Sequence, residues 1–248
     1  TGAQVRRIGF EDGRAAGVFA AIGDRETFIG ARETILCAGA LQSPALLMRS
    51  GFGPGPHLQE RGIAVLRHRP GVGRNLMEHP YAGLAFHLPR ASRTAAEHHH
   101  IPVIWRFSSG LDSCAPGDMH MGLMGRSAWH AVGRRLGALA FWVNKSFSRG
   151  EVRLAADPAA HPDVAMRLLS DERDLVRLRD AFRRAAALGA AIAASGAAGP
   201  PQPARMSDRA RRYGAHTWRN RLLTGLAGVA IDIAGPYGAA LTRTLTYQ

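Results

Sequence analysis

Residues 37–53 read CAGALQSPALLMRSGFG, and the reading of this stretch decides the fold. Just ahead of the glycine, Ile35-Leu36-Cys37-Ala38 is continuously apolar, the pattern of a strand buried on both faces of a parallel sheet. Gly39 ends that strand and lets other backbone or a ligand come close. Ser43 is an N-cap residue by type, and Pro44 suits the first helical position. Ala45 to Arg49 continue the helix, and Gly51 takes the place of a glycine C-cap. The stretch therefore predicts strand, tight turn and short helix. A helix N-terminus beside a glycine turn suits an anionic or polar ligand. An ordinary strand–helix connection accounts for the same letters, and the local sequence leaves both readings open.

Working outward, VRRIGF and AGVFAAI flank Glu11-Asp12-Gly13-Arg14, and Asp-Gly between two such runs predicts a hairpin. ETFIGAR adds a third alternating strand. Downstream, the sequence predicts a short helix near His57–Arg61, a strand at Ala64–Leu66 and a glycine loop at Gly71–Leu76. That loop mimics a dinucleotide fingerprint but fails it: Leu76 stands at the third glycine position, and Pro80 follows before any helix can open. FHLP, IPVIWRF, DMHMGLM, LGALAFWVNKSF and GEVRLAA predict a mostly antiparallel sheet. Residues 171–195 form the clearest helix, with Ser170 as cap, Leu175, Leu178, Phe182, Ala185 and Gly189 on the buried face and arginines on the other. Residues 195–203 read as a break or linker, and 207–248 as two short helices separated by Gly235-Pro236.

The chain has 248 residues, 46% of them hydrophobic, enough to bury a real core. Its formal charge is +13, from 32 basic and 19 acidic residues. The basic residues are arginines apart from Lys145, and they are scattered. No dense basic block, zinc finger or RNA-binding aromatic motif accompanies them, which argues against a nucleic-acid partner. Cys37 reads as a buried thiol, and two cysteines so far apart as Cys37 and Cys114 fit a reducing cytoplasm. Leu222–Leu241 approaches membrane-spanning length but contains Asp232 and Pro236, so no stable span is expected.

Few residues nominate themselves for chemistry. His98-His99-His100 cannot all face one point on a strand, and they read as a surface loop rather than a metal site. There is no Gly-x-Ser-x-Gly nucleophile elbow, and no paired carboxylates stand out. Asn75, Glu78 and His79 lie close enough in one loop to position a ligand; a structural histidine is an equal reading.

At this point the pattern resembles a known family. GALQSPALLMRSGFG, residues 39–53, is similar to the second signature of the glucose–methanol–choline (GMC) oxidoreductases, matching at Gly39, Ala40, Ser43, Pro44, Leu46, Leu47, Ser50, Gly51 and Gly53 and departing at Phe52. GVGRNLMEHP is similar to the family's Gly-x-Gly-x-Asn-Leu-Gln-Asp-His-Pro segment, with Met77 and Glu78 in place of Gln and Asp. SRGEVRLAADPAAHPDVAMRLLSDERDLVRLRDAFRRA is similar to its substrate-domain strand, turn and helix.

The resemblance implies an α/β (α+β) protein: part of an FAD-binding Rossmann-like domain at residues 1–80, an antiparallel-sheet substrate-binding domain with helices at 81–203, and a helical segment at 204–248. It implies FAD as cofactor and a small-molecule alcohol as substrate, with hydride passing from the alcohol carbon to flavin N5. By position in the family's motifs, Val5 matches the strand that meets the adenine. Ala38 and Gly39 match the turn beside the FAD. Asn75, Leu76, Glu78 and His79 match the loop near the flavin. No catalytic base is assigned and no metal is expected. The family's Gly-x-Gly-x-x-Gly unit and its histidine-bearing C-terminal block have no counterpart here, so the chain is expected to be an internal fragment, inactive alone and completed by the missing parts. The competing expectations are a basic, non-enzymatic module held at a membrane surface through residues 205–248, or one half of a split flavoenzyme.

Overall fold

The computed structural model describes residues 2–95, 97–204 and 208–234. The chain divides into two compact units, Thr1–Glu78 with Phe147–Ser170 and His79–Ser146 with Asp171–Gln248.

The first unit opens with the expected hairpin. β1 (Ala3–Glu11) and β2 (Arg14–Ile22) pair antiparallel around Asp12 and Gly13, both at positive φ, and β3 (Arg25–Gly30) completes a three-stranded sheet. The apolar run that follows is a correction. Residues 35–38 form no strand, Ile35 is 78% exposed, and Cys37 is exposed rather than buried. Among the described residues no strand lies alongside to pair with this run, and an apolar pattern alone cannot close a sheet.

α1 (Gly39–Arg49) also starts earlier than its sequence suggests. Ala38 is the N-cap, Pro44 lies inside the helix, and Ser43 turns its hydroxyl back to accept from the Ala38 N–H at 3.1 Å. Gly51, at φ 85°, follows the helix end as expected. Ser50 ties α1 to β1: its hydroxyl accepts from Ile8 N–H at 2.9 Å and donates to Leu46 O at 2.6 Å. β4 (Phe52–Gly53), α2 (Gly55–Glu60), β5 (Arg67–His68) and β6 (Arg74–Leu76) follow. The strand expected at Ala64–Leu66 thus falls one step later, where Arg67 and His68 pair parallel with Phe52 and Gly53.

The second unit is built on the antiparallel sheet. β7 (Tyr81–His87), β8 (Val103–Phe107), β9 (Met119–Met124) and β10 (Leu136–Val143) lie in the order β7-β10-β9-β8. The chain then returns to the first unit as β11 (Gly150–Arg153) and β12 (Asp163–Ala165), which join β6 in a separate three-stranded sheet. Met48 of α1, Leu58 of α2, and Val152 and Leu154 form the core there.

α3 (Glu172–Ala194) packs on β10, β7 and β9. Its length matches expectation, but its cap is Asp171 rather than Ser170, with the Asp171 side chain accepting from Arg173 N–H. Its buried face differs in part. Ala185 and Gly189 point inward and Leu178 packs on the core as expected, but Asp174, Arg177 and Ala181 are buried too, while Leu175 and Phe182 are 39% and 43% exposed. The reason is a buried ion-pair cluster. Arg177 donates to Asp174, to Asp118 at 3.2 Å and to the Lys145 carbonyl at 3.0 Å. Phe86, Met119, Met121, Leu139, Phe141 and Val143 fill the core beside it.

Part of the expected 195–203 linker is a strand: β13 (Gln202–Pro203) adds to the free edge of β7. α4 (Asp208–Gly214), not foreseen, precedes α5 (Trp218–Ile233), which is the expected first C-terminal helix. The expected second helix lies outside the described residues. Among the described residues no helix is long and apolar enough to cross a membrane. Asp232 of α5 instead accepts from Arg93 at 2.6 Å and from Arg135 at 2.5 Å.

Candidate functional site

In the first unit the functional features gather at the start of α1. Gly39 has φ 78°, a conformation that costs an L side chain about 1–2 kcal/mol, and no atom lies within 4 Å of where a Cβ would stand. The first backbone amides of a helix have no intrahelical acceptors. Here the N-cap supplies no side-chain cap, and the first turn carries no acidic residue. Ala38 and Gly39 are both exposed. Thr34 Oγ1, just upstream, is buried without a hydrogen-bond partner.

Val5 is half-exposed on β1, an edge strand, paired with Ala20 beside a register irregularity. Asn75 sits at φ 59° in β6, exposed, and Leu76 packs against the core formed by Met48, Leu58 and Val152. The loop before β6 is fixed by close approach. Gly73, at φ 82°, lies where a Cβ would come within 2.2 Å of Val152 O, and its own carbonyl accepts from Val152 N–H at 2.7 Å. Glu78 is exposed at the end of this unit.

His79 opens the second unit. Its Nδ1 lies 2.9 Å from Val143 O, and since a carbonyl only accepts, Nδ1 carries the proton. Val143 N–H returns a bond to Pro80 O at 3.1 Å, so the start of this segment is tied to the end of β10.

The sheet of the second unit gathers residues that the sequence reading did not single out. Tyr81 stands opposite Trp142, Trp142 opposite His120, and His120 opposite Arg106. Directly opposed residues share a face, so the four form a row across the sheet on the side away from the core. The His120 and Trp142 rings are 5.5 Å apart. Burial, then the charges of Arg106 and the neighbouring His79, hold the His120 pKa below its usual value. The alternation in DMHMGLM and AFWV was the available signal; which residues of the two strands face each other was not.

The expected histidine loop is exposed at His98–His100, where the His99 ring bonds Ile101. Among the described residues no cluster of three or more His, Cys, Asp or Glu could hold a metal ion.

Comparison with known proteins gives this geometry its context. Residues 1–81 match the N-terminal domain of the GMC oxidoreductases and residues 146–231 match their C-terminal domain, together more than half of the chain. The 5-(hydroxymethyl)furfural oxidase of Methylovorus sp. (strain MP688) is 45% identical over 169 residues, covering 64% of this chain and 30% of that protein. The oxygen-dependent choline dehydrogenase of Sinorhizobium medicae (strain WSM419) is 33% identical over 212 residues, covering 72% of this chain and 37% of that protein. Among solved structures, pyridoxine 4-oxidase from Mesorbium loti shares the fold with a TM-score of 0.71 at 22% identity, over 90% of this chain and 44% of that one. An FAD-dependent oxidoreductase from Chaetomium thermophilum follows at TM-score 0.58 and 21% identity, over 74% of this chain and 43% of that one. The chain belongs to the GMC oxidoreductases, a family of FAD-dependent enzymes. It spans about a third of the length of the curated relatives it matches, 30% and 37% for the two named here.

The first unit fits the group that the family implies. A dinucleotide needs backbone that tolerates its phosphates and an apolar surface for its flat parts. The uncapped start of α1, the open space at Gly39, the exposed Ile35 and the orphaned Thr34 hydroxyl meet those needs on one stretch of chain.

Proposed function

We propose that this chain is the central part of an FAD-dependent oxidoreductase that acts on the CH–OH group of a small-molecule alcohol. The observation that carries the reading is the turn into α1, where an unhindered glycine and an uncapped helix start follow an apolar segment, in a chain of this family.

Bound FAD would supply the hydride acceptor, flavin N5. The chain's own residues bind and orient. Val5 offers backbone groups of an edge strand to the adenine. Ala38 and Gly39 let the dinucleotide lie against bare backbone. Leu76 anchors the β6 loop in the core, and Asn75, Glu78 and His79 are the neighbouring residues assigned to the flavin by their match to the family's motif. His79 keeps a proton at Nδ1 on Val143 O, which fixes the orientation of its ring. No residue of this chain is assigned the base that removes the alcohol proton.

Residues 1–80 contribute the FAD side, 81–203 the substrate side apart from Phe147–Ser170, which fold with the first unit, and 204–248 a helical segment. The two cysteines, unpaired in the structure, suit a cytoplasmic protein. Alone, the chain binds FAD weakly and turns over no alcohol; it is completed by the further N- and C-terminal parts of the enzyme, in one polypeptide or two. The test compares the 248-residue chain with a product extended at both ends to the length of its relatives, reading anaerobic bleaching of the flavin by primary alcohols. Bleaching by the extended product alone is expected. Turnover by the short chain overturns the claim of inactivity, and no bleaching by any alcohol overturns the reading itself.

A further inference from the structure

The exposed apolar side chains of α5 fall mostly in one line. Trp218, Leu222, Leu226, Val229 and Ile233 are 55–81% exposed, and at 3.6 residues per turn they share an arc of about 80°. The other side of the helix is already used. Thr224, Gly228 and Ile231 are buried, Ile231 with Val132 and Leu136. Gly228 makes room for the Arg135 guanidinium, one nitrogen of which lies 2.7 Å from where a Cβ would stand. Both ends are fastened. Asp232 holds Arg93 and Arg135 at one. At the other, Trp129 donates from Nε1 to Gly214 O at 2.8 Å and stacks on His216 with ring centroids 4.4 Å apart, while Asn220 Nδ2 donates to Arg212 O at 2.7 Å. The apolar line is therefore presented by a helix whose inner face is already packed.

Charge decides what fits on that line. Arg219 and Arg221 flank it on its two sides, both exposed, and among the described residues neither pairs with an acid. Arg211 and Arg212 of α4 follow at the Trp218 end, where the Asn220 bond holds α4. The one acid of α5, Asp232, is taken up by its two arginines. A second copy of the chain laid against this face would oppose arginine to arginine with no acid to offset them. A protein interior would strip water from the same unpaired guanidinium groups. An anionic bilayer meets both halves of the pattern: the arginines reach lipid phosphates at the interface, and Trp, Leu, Val and Ile enter the acyl boundary. The net charge of +13 adds to that attraction. We propose that the outer face of α5 is a peripheral contact for an anionic phospholipid surface, lying along the bilayer without crossing it.

The test is co-sedimentation of the 248-residue chain, and of the product extended at both ends, with vesicles of phosphatidylcholine alone and of phosphatidylcholine mixed with phosphatidylglycerol. Both proteins should pellet with the mixed vesicles at low salt and stay in solution with the neutral ones. The Trp218 emission, assigned among the four tryptophans by Trp218→Phe, should move to shorter wavelength on binding. Leu226→Gln should weaken binding roughly tenfold. Arg219→Gln combined with Arg221→Gln should weaken it roughly ten- to thirtyfold and flatten its salt dependence. All three positions are exposed, so the melting midpoint should not change in either variant. Binding by the 248-residue chain that the extended product lacks overturns the proposal, because further parts of the enzyme then cover the line. Equal binding to neutral vesicles, or binding indifferent to both variants, overturns it as well. So does a dimer that Leu226→Gln dissolves, found in place of vesicle binding.

Discussion

Replacing Arg177 by Met should do more damage to this chain than any surface change, because of what it leaves behind. Arg177 is 1% exposed and Asp174 is fully buried, and Asp118 beside them is nearly so. The guanidinium bonds both carboxylates, the Lys145 carbonyl and the Arg173 carbonyl. Burial opposes the ionisation of Asp118, but the Ser109 N–H and hydroxyl and Arg177 together outweigh it and hold its pKa low. Methionine preserves most of the volume and removes the charge, leaving two carboxylates facing each other out of water. Removing one partner of such a cluster costs about 3–5 kcal/mol. At roughly 2–4 °C per kcal/mol for a chain of this size, the midpoint of the second unit should fall on the order of 10 °C. The difference from wild type should shrink as pH falls from neutral towards the unfolded carboxylate value of about 3.9, because burial without a partner raises the pKa of the stranded carboxylates and they take up protons before the unfolded chain does. Thermal melts across that pH range, with amide exchange at β9 and β10 as the local readout, measure both effects. A loss under about 1 kcal/mol, or a gap that does not change with pH, would refute the buried-charge argument. Because Met119 and His120 follow Asp118 directly, the same variant should also loosen the row that carries Trp142.

Three further outcomes follow from the geometry. Gly73→Ala puts a Cβ within 2.2 Å of Val152 O at a positive φ, so β6 should detach from β11 and the Val152 amide should lose its exchange protection; retained protection contradicts the close approach. Asp232, held well below the usual carboxylate range first by Arg135 and then by Arg93, has a depressed folded pKa. Its contribution is thus present above the unfolded value of about 3.9 and lost as pH falls through the folded one. Proteolysis of α5 should accordingly stay flat from neutral pH to about pH 4 in wild type, and be faster throughout in Asp232→Asn. Burial depresses the pKa of His57, whose Nε2 accepts from Leu154 N–H, and Arg153 adds to the effect. A histidine held neutral in the fold loses stability as pH falls below its unfolded value of about 6.5, so the urea midpoint of the first unit should drop between about pH 7.5 and 5.5. His57→Gln should flatten that profile, and an unchanged slope would show that His57 is not its source.

How far the sequence reveals this molecule depends on how local each feature is. The Asp12-Gly13 hairpin, the alternating strands and the span of α3 are written within a dozen or so neighbours, and they are legible. The buried face of α3 is legible only in part, because the pattern assumes that arginines point outward, and the partner that draws Arg177 inward is Asp118, 59 positions away. Ser43-Pro44 misplaces the start of α1 for a similar reason. Ser and Pro fit a first helical turn, but the helix begins at Gly39, where the backbone can take a positive φ, and the Ser43 hydroxyl reaches back to Ala38. The run at residues 35–38 shows where side chains would go if a sheet surrounded them, and says nothing of whether neighbours exist. The glycine turn of the candidate site could be found in one stretch of sequence. The row from Tyr81 to Arg106 could not, since it is assembled from four strands by their register.

The most direct test of the central claim is anaerobic mixing of the FAD-loaded, extended product with furfuryl alcohol while flavin absorbance is followed. Bleaching that the 248-residue chain cannot reproduce is the predicted result. A flavin that stays oxidised with every alcohol tried would contradict it.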